Sequence, residues 1–255
     1  EPKNPQLTMS KIDLTQHPPF VYSEYKSSLL RGPKKPLVKL HDICEGQPRI
    51  QLGERQGGLT NQFSVPEIDN NLLLNSTQGG EPFGERMVVS GKVLDRWGHP
   101  QPGVLIEIWQ ANASGRYRHK TDEQNAPLDP NFSGVGRCIT DADGEYRFYT
   151  IKPGAYPWKN HPNAWRPSHI HFSIIGESLA DRLITQMYFS SDPLLEYDPI
   201  FTATPQANKQ RLISKLDLSL AETDFALGYK FDIILNGAKV APTDSEELEQ
   251  PSEHP

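Results

Sequence analysis

Met87-Val88-Val89-Ser90-Gly91-Lys92-Val93-Leu94, then Trp97-Gly98-His99-Pro100, then Val104-Leu105-Ile106-Glu107-Ile108-Trp109, is the stretch on which the fold turns. Two short β-rich runs flank a turn signal, and in the second run Val104, Ile106 and Ile108 alternate with the residues between them. Period two is the signature of a strand with one face on a core. Downstream, similar runs follow at Val135–Thr140, Tyr146–Ile151 after the Asp143-Gly144 turn, His169–Ile175, Leu183–Phe189 and Tyr229–Leu235. Short strands at this spacing, separated by turns, predict an all-β fold. The expected architecture is a β-sandwich of mostly antiparallel strands with long loops.

Upstream of Glu85 the texture differs. Residues 1–80 are rich in Pro, Asn, Gln and Gly, with only brief apolar pieces such as Leu72-Leu73-Leu74. They read as an extended N-terminal arm that lies on another surface. Residues 81–240 form the sandwich domain, and residues 241–255, acidic and containing Pro, read as a disordered tail. One or two short helices complete the picture, one of them over Ala207–Leu216, where Leu212, Ile213 and Leu216 share a face.

Composition narrows the function. The 255 residues carry a formal net charge of -6, which argues against a nucleic-acid partner. No apolar run is long enough to span a bilayer, so no membrane role is expected. Two cysteines, Cys44 and Cys138, form no CxxC pair and fit a reducing cytoplasm. The chain opens at Glu1 without Met, as a processed or trimmed terminus would.

The chemistry centres on His169-Ile170-His171. In a strand both imidazoles point to one face and Ile170 to the other, so two metal ligands are pre-aimed. A chance pair of half-buried histidines would look the same. No carboxylate follows at a spacing suited to a non-haem Fe(II) or Mn site, because Glu177 comes after a turn glycine. A zinc hydrolase would recruit His119 or His161 as a third imidazole. Two tyrosines stand in turn-like segments, Gly115-Arg116-Tyr117-Arg118-His119-Lys120 and Gly154-Ala155-Tyr156-Pro157-Trp158. Each alone reads as a core aromatic with a satisfied hydroxyl. Together with the imidazoles, two phenolates suit a trivalent metal, because their charge offsets the ion's and eases its burial.

Those segments, with Trp109-Gln110-Ala111-Asn112, Leu128-Asp129-Pro130-Asn131-Phe132, Ile151-Lys152-Pro153-Gly154 and Trp165-Arg166-Pro167-Ser168-His169-Ile170-His171-Phe172, resemble the intradiol ring-cleavage dioxygenases. Within that family they resemble the protocatechuate 3,4-dioxygenase beta chains, over most of the chain from Tyr25 to Asp232. The resemblance implies one non-haem Fe(III) per chain, with Tyr117, Tyr156, His169 and His171 as its protein ligands. It further implies that Tyr156 leaves the metal and takes a substrate proton, and that Arg166 stabilises charge on the substrate ring. Trp158, Gln186 and Ile200 match pocket positions, and Tyr25 matches one near the substrate carboxylate. The basic run Arg116, Arg118, His119 and Lys120 would favour an anionic substrate, or would simply be a solvated face.

The activity so implied is O2-dependent opening of protocatechuate between its hydroxyls, with catechol or hydroxyquinol as alternative substrates. A homologous alpha chain is the implied partner, in an alpha-beta protomer of a larger oligomer. Phe20, Tyr22, Tyr25, Leu29 and Leu30 would then be buried by wrapping that partner. Three readings stay open on the residues alone: an Fe(III) dioxygenase, a zinc hydrolase, and a non-catalytic β-sandwich binding module.

Overall fold

The computed structural model describes residue 17, residue 65 and residues 67–76, 78–118, 122, 124–158, 162–175 and 182–235. Tyr25 and the other aromatic groups of the arm, the tail from 241, and Cys44, His119, Lys120, His161 and Glu177 lie outside the described residues.

Runs of alternating residues form strands β1 (Arg86–Leu94), β2 (Leu105–Trp109), β3 (Val135–Ile139), β4 (Glu145–Ile151), β5 (Tyr156–Trp158), β6 (Ala164–Arg166), β7 (His169–Ile175) and β8 (Arg182–Phe189). β9 (Ile213–Leu216), β10 (Leu227–Lys230) and β11 (Ile233–Ile234) follow. β4, β1 and the β10–β11 line make one leaf; β3, β2, β7, β8 and β9 make the other. Antiparallel pairing of β9 with β10 joins the leaves along one edge. Among the described strands, parallel pairing joins β1 with β10 and β11 and β8 with β9. The expected sandwich of mostly antiparallel strands is what forms, and β5 and β6 stand apart as a two-stranded ribbon.

Apolar residues of both leaves meet between them. Met87, Val89 and Phe148 face Ile106, Ile108, Ile170, Phe172 and Met187. Phe172 makes ring contacts across the gap with Phe148 at 5.9 Å and Phe231 at 5.3 Å. β7, paired on both sides by β2 and β8, is buried on both faces. Ile170, Phe172 and Ile174 go to the core, which leaves His169 and His171 on the opposite face, as the period of two requires.

The structure departs from the sequence reading in three places. The run Tyr229–Leu235 is interrupted at Phe231-Asp232, where the backbone crosses so close to β1 that a Cβ on Gly91 would lie 1.9 Å from the Phe231 carbonyl oxygen. Phe231 N still donates to Ser90 O (3.0 Å), and Lys92 N turns to Asp232 Oδ1 (2.9 Å). Glycine at 91 permits this irregularity.

The helix expected over Ala207–Leu216 is shorter and begins earlier. α1 spans Pro199–Ala203, α2 spans Gln206–Lys209, a 3-10 turn covers Gln210–Leu212, and Ile213–Leu216 is β9. The open edge of β8 recruits Ile213 and Ser214 into parallel pairing with Tyr188 and Phe189, which outweighs the weak helical periodicity.

Tyr156, expected in a turn-like segment, begins strand β5. The reason is its partner strand: Tyr156 pairs with Arg166, Pro157 with Trp165 and Trp158 with Ala164, and Pro157, which cannot donate to a ladder, sits in a ribbon with only one neighbour.

Before β1, Leu72 and Leu73 join the sandwich core, and Asn71 bridges to Tyr149. His17 is buried with its ring edge-on to Phe231 at 5.1 Å, so the chain lies on its own sandwich at that residue. None of the described helices is long and apolar enough to cross a membrane.

Candidate active site

The outer face of β7 carries the site. His169 Nδ1 lies 2.6 Å from the Pro167 carbonyl oxygen, which can only accept, so Nδ1 bears the proton and Nε2 presents a lone pair. That Nε2 is 3.3 Å from Tyr117 Oη and 3.5 Å from Tyr156 Oη. His171 Nε2 is 3.0 Å from Tyr117 Oη. Two phenol oxygens and two imidazole nitrogens thus converge at a buried point. Atoms held at about 2 Å by one ion stand roughly 2.8–3.5 Å apart, and these three separations fall in that range, so the four groups are candidates to hold a single metal. The donor set, two phenols that can ionise and two neutral imidazoles, fits a trivalent ion in particular.

Three segments deliver these groups. The histidines come from the regular strand β7. Tyr117 sits in the loop after β2, and its backbone N–H donates to Asp122 Oδ2 (2.8 Å). Asp122 Oδ1 accepts from Gln124 N (2.9 Å), and Gln124 Nε2 reaches Pro157 O (3.1 Å), which ties the Tyr117 loop to strand β5. The same two segments press together at glycines. A Cβ on Gly115, whose φ is +78°, would lie 2.3 Å from Ala155 O, and one on Gly154 would lie 2.3 Å from Ala113 O. Both tyrosines stand in Gly-x-Tyr sequences, and each glycine is what lets the other tyrosine's segment come close. Trp109 of β2 stacks on His171, with ring centroids 4.9 Å apart and planes 3° from parallel.

Beside the four donors lies a charged network with no exposure. Arg166, across the β5–β6 ribbon from Tyr156, is fully buried. Its Nε donates to Asp198 Oδ2 (3.2 Å), and its Nη2 donates to Gln186 Oε1. Tyr188 Oη donates to Asp198 Oδ2 (2.9 Å) and lies 3.1 Å from Gln186 Oε1. Burial, with the Asp198 carboxylate adding to it, holds the Tyr188 phenol well above the usual tyrosine range. Trp158 and Ile200 pack together with Ala164 to wall this side.

The structure therefore brings together Tyr117, Tyr156, His169, His171, Arg166, Trp158, Gln186 and Ile200, eight residues that the family resemblance singles out; Tyr25 lies outside the described residues. Gln186 has a second part beyond lining a pocket, because its side-chain oxygen is taken up by Arg166 and Tyr188. Of the basic run, Arg116 and Arg118 turn to the carbonyls of Ala126 and Pro130. Sequence reasoning missed Asp198 and Tyr188. Asp198 precedes Pro199 as a helix cap does, a legible signal for α1, but nothing in the order of residues shows that its other oxygen meets Arg166.

Known proteins show the same arrangement of sequence and fold. Residues 61–237 match the family described as Dioxygenase, and residues 13–41 match the family of protocatechuate 3,4-dioxygenase beta subunit N termini. The chain is 53% identical over 230 residues to the protocatechuate 3,4-dioxygenase beta chain of Burkholderia cepacia, covering 90% of this chain and 94% of that one. It is 30% identical over 193 residues to the protocatechuate 3,4-dioxygenase alpha chain of Pseudomonas putida, covering 74% and 88%. Its fold is shared with 3-chlorocatechol 1,2-dioxygenase of Rhodococcus opacus 1CP, at a TM-score of 0.51 and 24% identity over 71% of this chain and 72% of that one. These matches displace the zinc-hydrolase and non-catalytic readings, and they agree with phenols, not a third imidazole, standing at His169 Nε2 among the described residues. The chain is an oxidoreductase of the intradiol ring-cleavage dioxygenase family and belongs with the protocatechuate 3,4-dioxygenase beta chains.

Proposed function

We propose that the chain holds one non-haem Fe(III) through Tyr117, Tyr156, His169 and His171. With it, the chain opens protocatechuate between its two hydroxyls, using O2, to 3-carboxy-cis,cis-muconate, a step of aromatic catabolism by the beta-ketoadipate route. The observation that carries this reading is the convergence of two tyrosine oxygens on His169 Nε2 at 3.3 and 3.5 Å. Likeness to the Burkholderia cepacia beta chain over nearly its whole length supports the choice of substrate. Catechol and hydroxyquinol are the alternative substrates, since proteins named for them match over about half of this chain.

Bound at this site, a ferric ion supplies Lewis-acid polarisation of a catecholate and makes its ring reactive toward O2. The chain's own groups do the rest. Tyr156 Oη, as phenolate, accepts a proton from a substrate hydroxyl and so acts as a base as well as a ligand. Tyr117, held at its backbone by Asp122, stays in place. The Arg166 guanidinium, fixed before substrate arrives, faces charge that develops on the ring and lowers the barrier without reorganising. Trp158 and Ile200 exclude water beside it. A homologous alpha chain is the proposed partner, in line with the 30% identity to such a chain. The cytoplasm is the proposed compartment, where the buried free thiol of Cys138 stays reduced.

An absorption spectrum with metal analysis tests the centre, and O2 uptake with each of the three catechols tests the substrate. A red-brown chromophore, one iron per chain and preference for protocatechuate are expected. A colourless zinc protein would end the iron assignment, and preference for catechol would end the substrate assignment alone.

A further inference from the structure

Asp198 stands at a junction that the reaction as outlined does not use. Its two oxygens serve different elements. Oδ1 accepts from Ile200 N at 2.9 Å and caps α1, whose residue Ile200 packs on Trp158. Oδ2 accepts from Arg166 Nε at 3.2 Å and from Tyr188 Oη at 2.9 Å. Both side chains of the ion pair are wholly buried. Gln186 Oε1, on the strand residue opposite His171, closes the ring of contacts by accepting from Arg166 Nη2 and lying 3.1 Å from Tyr188 Oη, whose single proton goes to Asp198. A long guanidinium side chain buried without fixed acceptors would sample several rotamers, whereas an anion at Nε and an amide oxygen at Nη2 select one.

We infer that Asp198 is a positioning residue. It aims the Arg166 guanidinium beside the four metal-binding side chains, and through its cap it fixes the pocket wall at Ile200 to the same carboxylate. The inference rests on the proposed role of Arg166 and adds to it that the orientation of that charge is set from outside the pocket. Tyr188 is the second support, since its hydroxyl completes the acceptor count of Oδ2 and bridges to Gln186. Preorganised charge acts only when it is aimed, so loosening Arg166 reduces the rate of the charge-developing step more than it weakens substrate binding.

Asp198→Asn discriminates between a merely structural role and this one. An asparagine Oδ1 retained toward Ile200 N keeps the helix cap, and its NH2 then turns donors toward the Arg166 Nε–H and withdraws the acceptor for Tyr188 Oη, so the Oδ2 contacts are lost while the cap is kept. In the iron-loaded holoenzyme, with whatever partner chain it purifies, iron content and the visible band should stay at the parent values. kcat for protocatechuate should fall about 10²-fold while KM changes less than about threefold. Tyr188→Phe, which removes no charge and keeps the ring packed against Phe201, should show the same split at a smaller size.

Arg166→Ser is measured alongside. Normal turnover by that variant would overturn the role given to Arg166 itself. Impaired Arg166→Ser with normal Asp198→Asn would overturn only the inference about Asp198. Loss of iron in Asp198→Asn, or a rise in KM equal to the fall in kcat/KM, would also overturn it, since either would make Asp198 a general support of the site. Should Asp198→Asn fail to fold, Tyr188→Phe decides: unchanged kcat in that variant refutes the network.

Discussion

Gly154→Ala tests whether the close approach of the two tyrosine segments sets the metal geometry. The new methyl would be built 2.3 Å from Ala113 O and 2.5 Å from Gly115 N, both backbone atoms that no rotamer change can move aside. Side-chain carbons essentially never come within 3.0 Å of such atoms, so the segments must part by about 0.7 Å at least. That shift exceeds the roughly 0.2 Å tolerance of metal–ligand distances, and it separates Tyr156 from a hydroxyl group, Tyr117 Oη, that now shares His169 Nε2 with it. The contact between Gly154 N and Asn112 O, at 2.9 Å, stretches at the same time. Overpacking of this kind costs about 1–3 kcal/mol of stability, and disturbing a support behind a ligand costs about 10- to 100-fold in metal affinity.

The assay is chelator competition for iron, read by the visible band, with thermal melting in parallel. Gly79→Ala is the control, because its φ of +71° carries the backbone penalty while nothing lies within 4 Å of the added methyl. It should lose stability modestly and iron affinity not at all. Iron affinity and band position in Gly154→Ala equal to those of the Gly79 control would refute the reasoning.

Four further outcomes are expected. His171→Ala should lose most of its iron by metal analysis, and Tyr156→Phe should retain some iron with a shifted band and slowed substrate binding; full iron and activity in the first, or an unchanged spectrum in the second, would remove those ligands from the set. Arg166→Ser should lower turnover about 10²- to 10³-fold at unchanged iron content, as measured by O2 uptake. His17, pushed by burial and by the nearby Arg211 from 6.5 to about 3, is neutral in the folded protein. Its folded pKa lies below its unfolded one, so stability is full above about pH 6.5 and falls as the pH drops toward 3. Denaturant melts of His17→Phe should show a flatter acid limb than the parent, and identical limbs would show that His17 does not titrate with unfolding.

Much of this molecule was legible because its strands alternate cleanly. Met87–Leu94 and His169–Ile175 could be read to within a residue of their ends, and the direction of His169 and His171 followed from the position of Ile170. The pairing of Tyr117 with Tyr156 was suggested by the chemistry of two phenolates beside two imidazoles and became specific through resemblance, and both tyrosines follow a glycine at the same spacing. What escaped was set by tertiary contact. Ile213 and Ser214 look helical in sequence until the open edge of β8 is there to pair with them. The break at Phe231-Asp232 depends on Gly91, some 140 residues earlier. Asp198 announces a helix, but its bond to Arg166 joins two segments separated by 32 residues and by strands β7 and β8.

Strand β7 sorts its residues by parity. Even positions 170, 172 and 174 hold the sandwich together, while odd positions 169 and 171 carry the site. A single-residue insertion or deletion between Arg166 and His169 would exchange the two sets and place imidazoles in the core and Ile170 at the site, so the length of that connection is held more tightly than its composition. Point substitution at odd positions has no such penalty. A duplicated copy of this chain could therefore shed its chemistry one side chain at a time and remain a fully packed sandwich, free to persist as a partner whose surfaces still match the original.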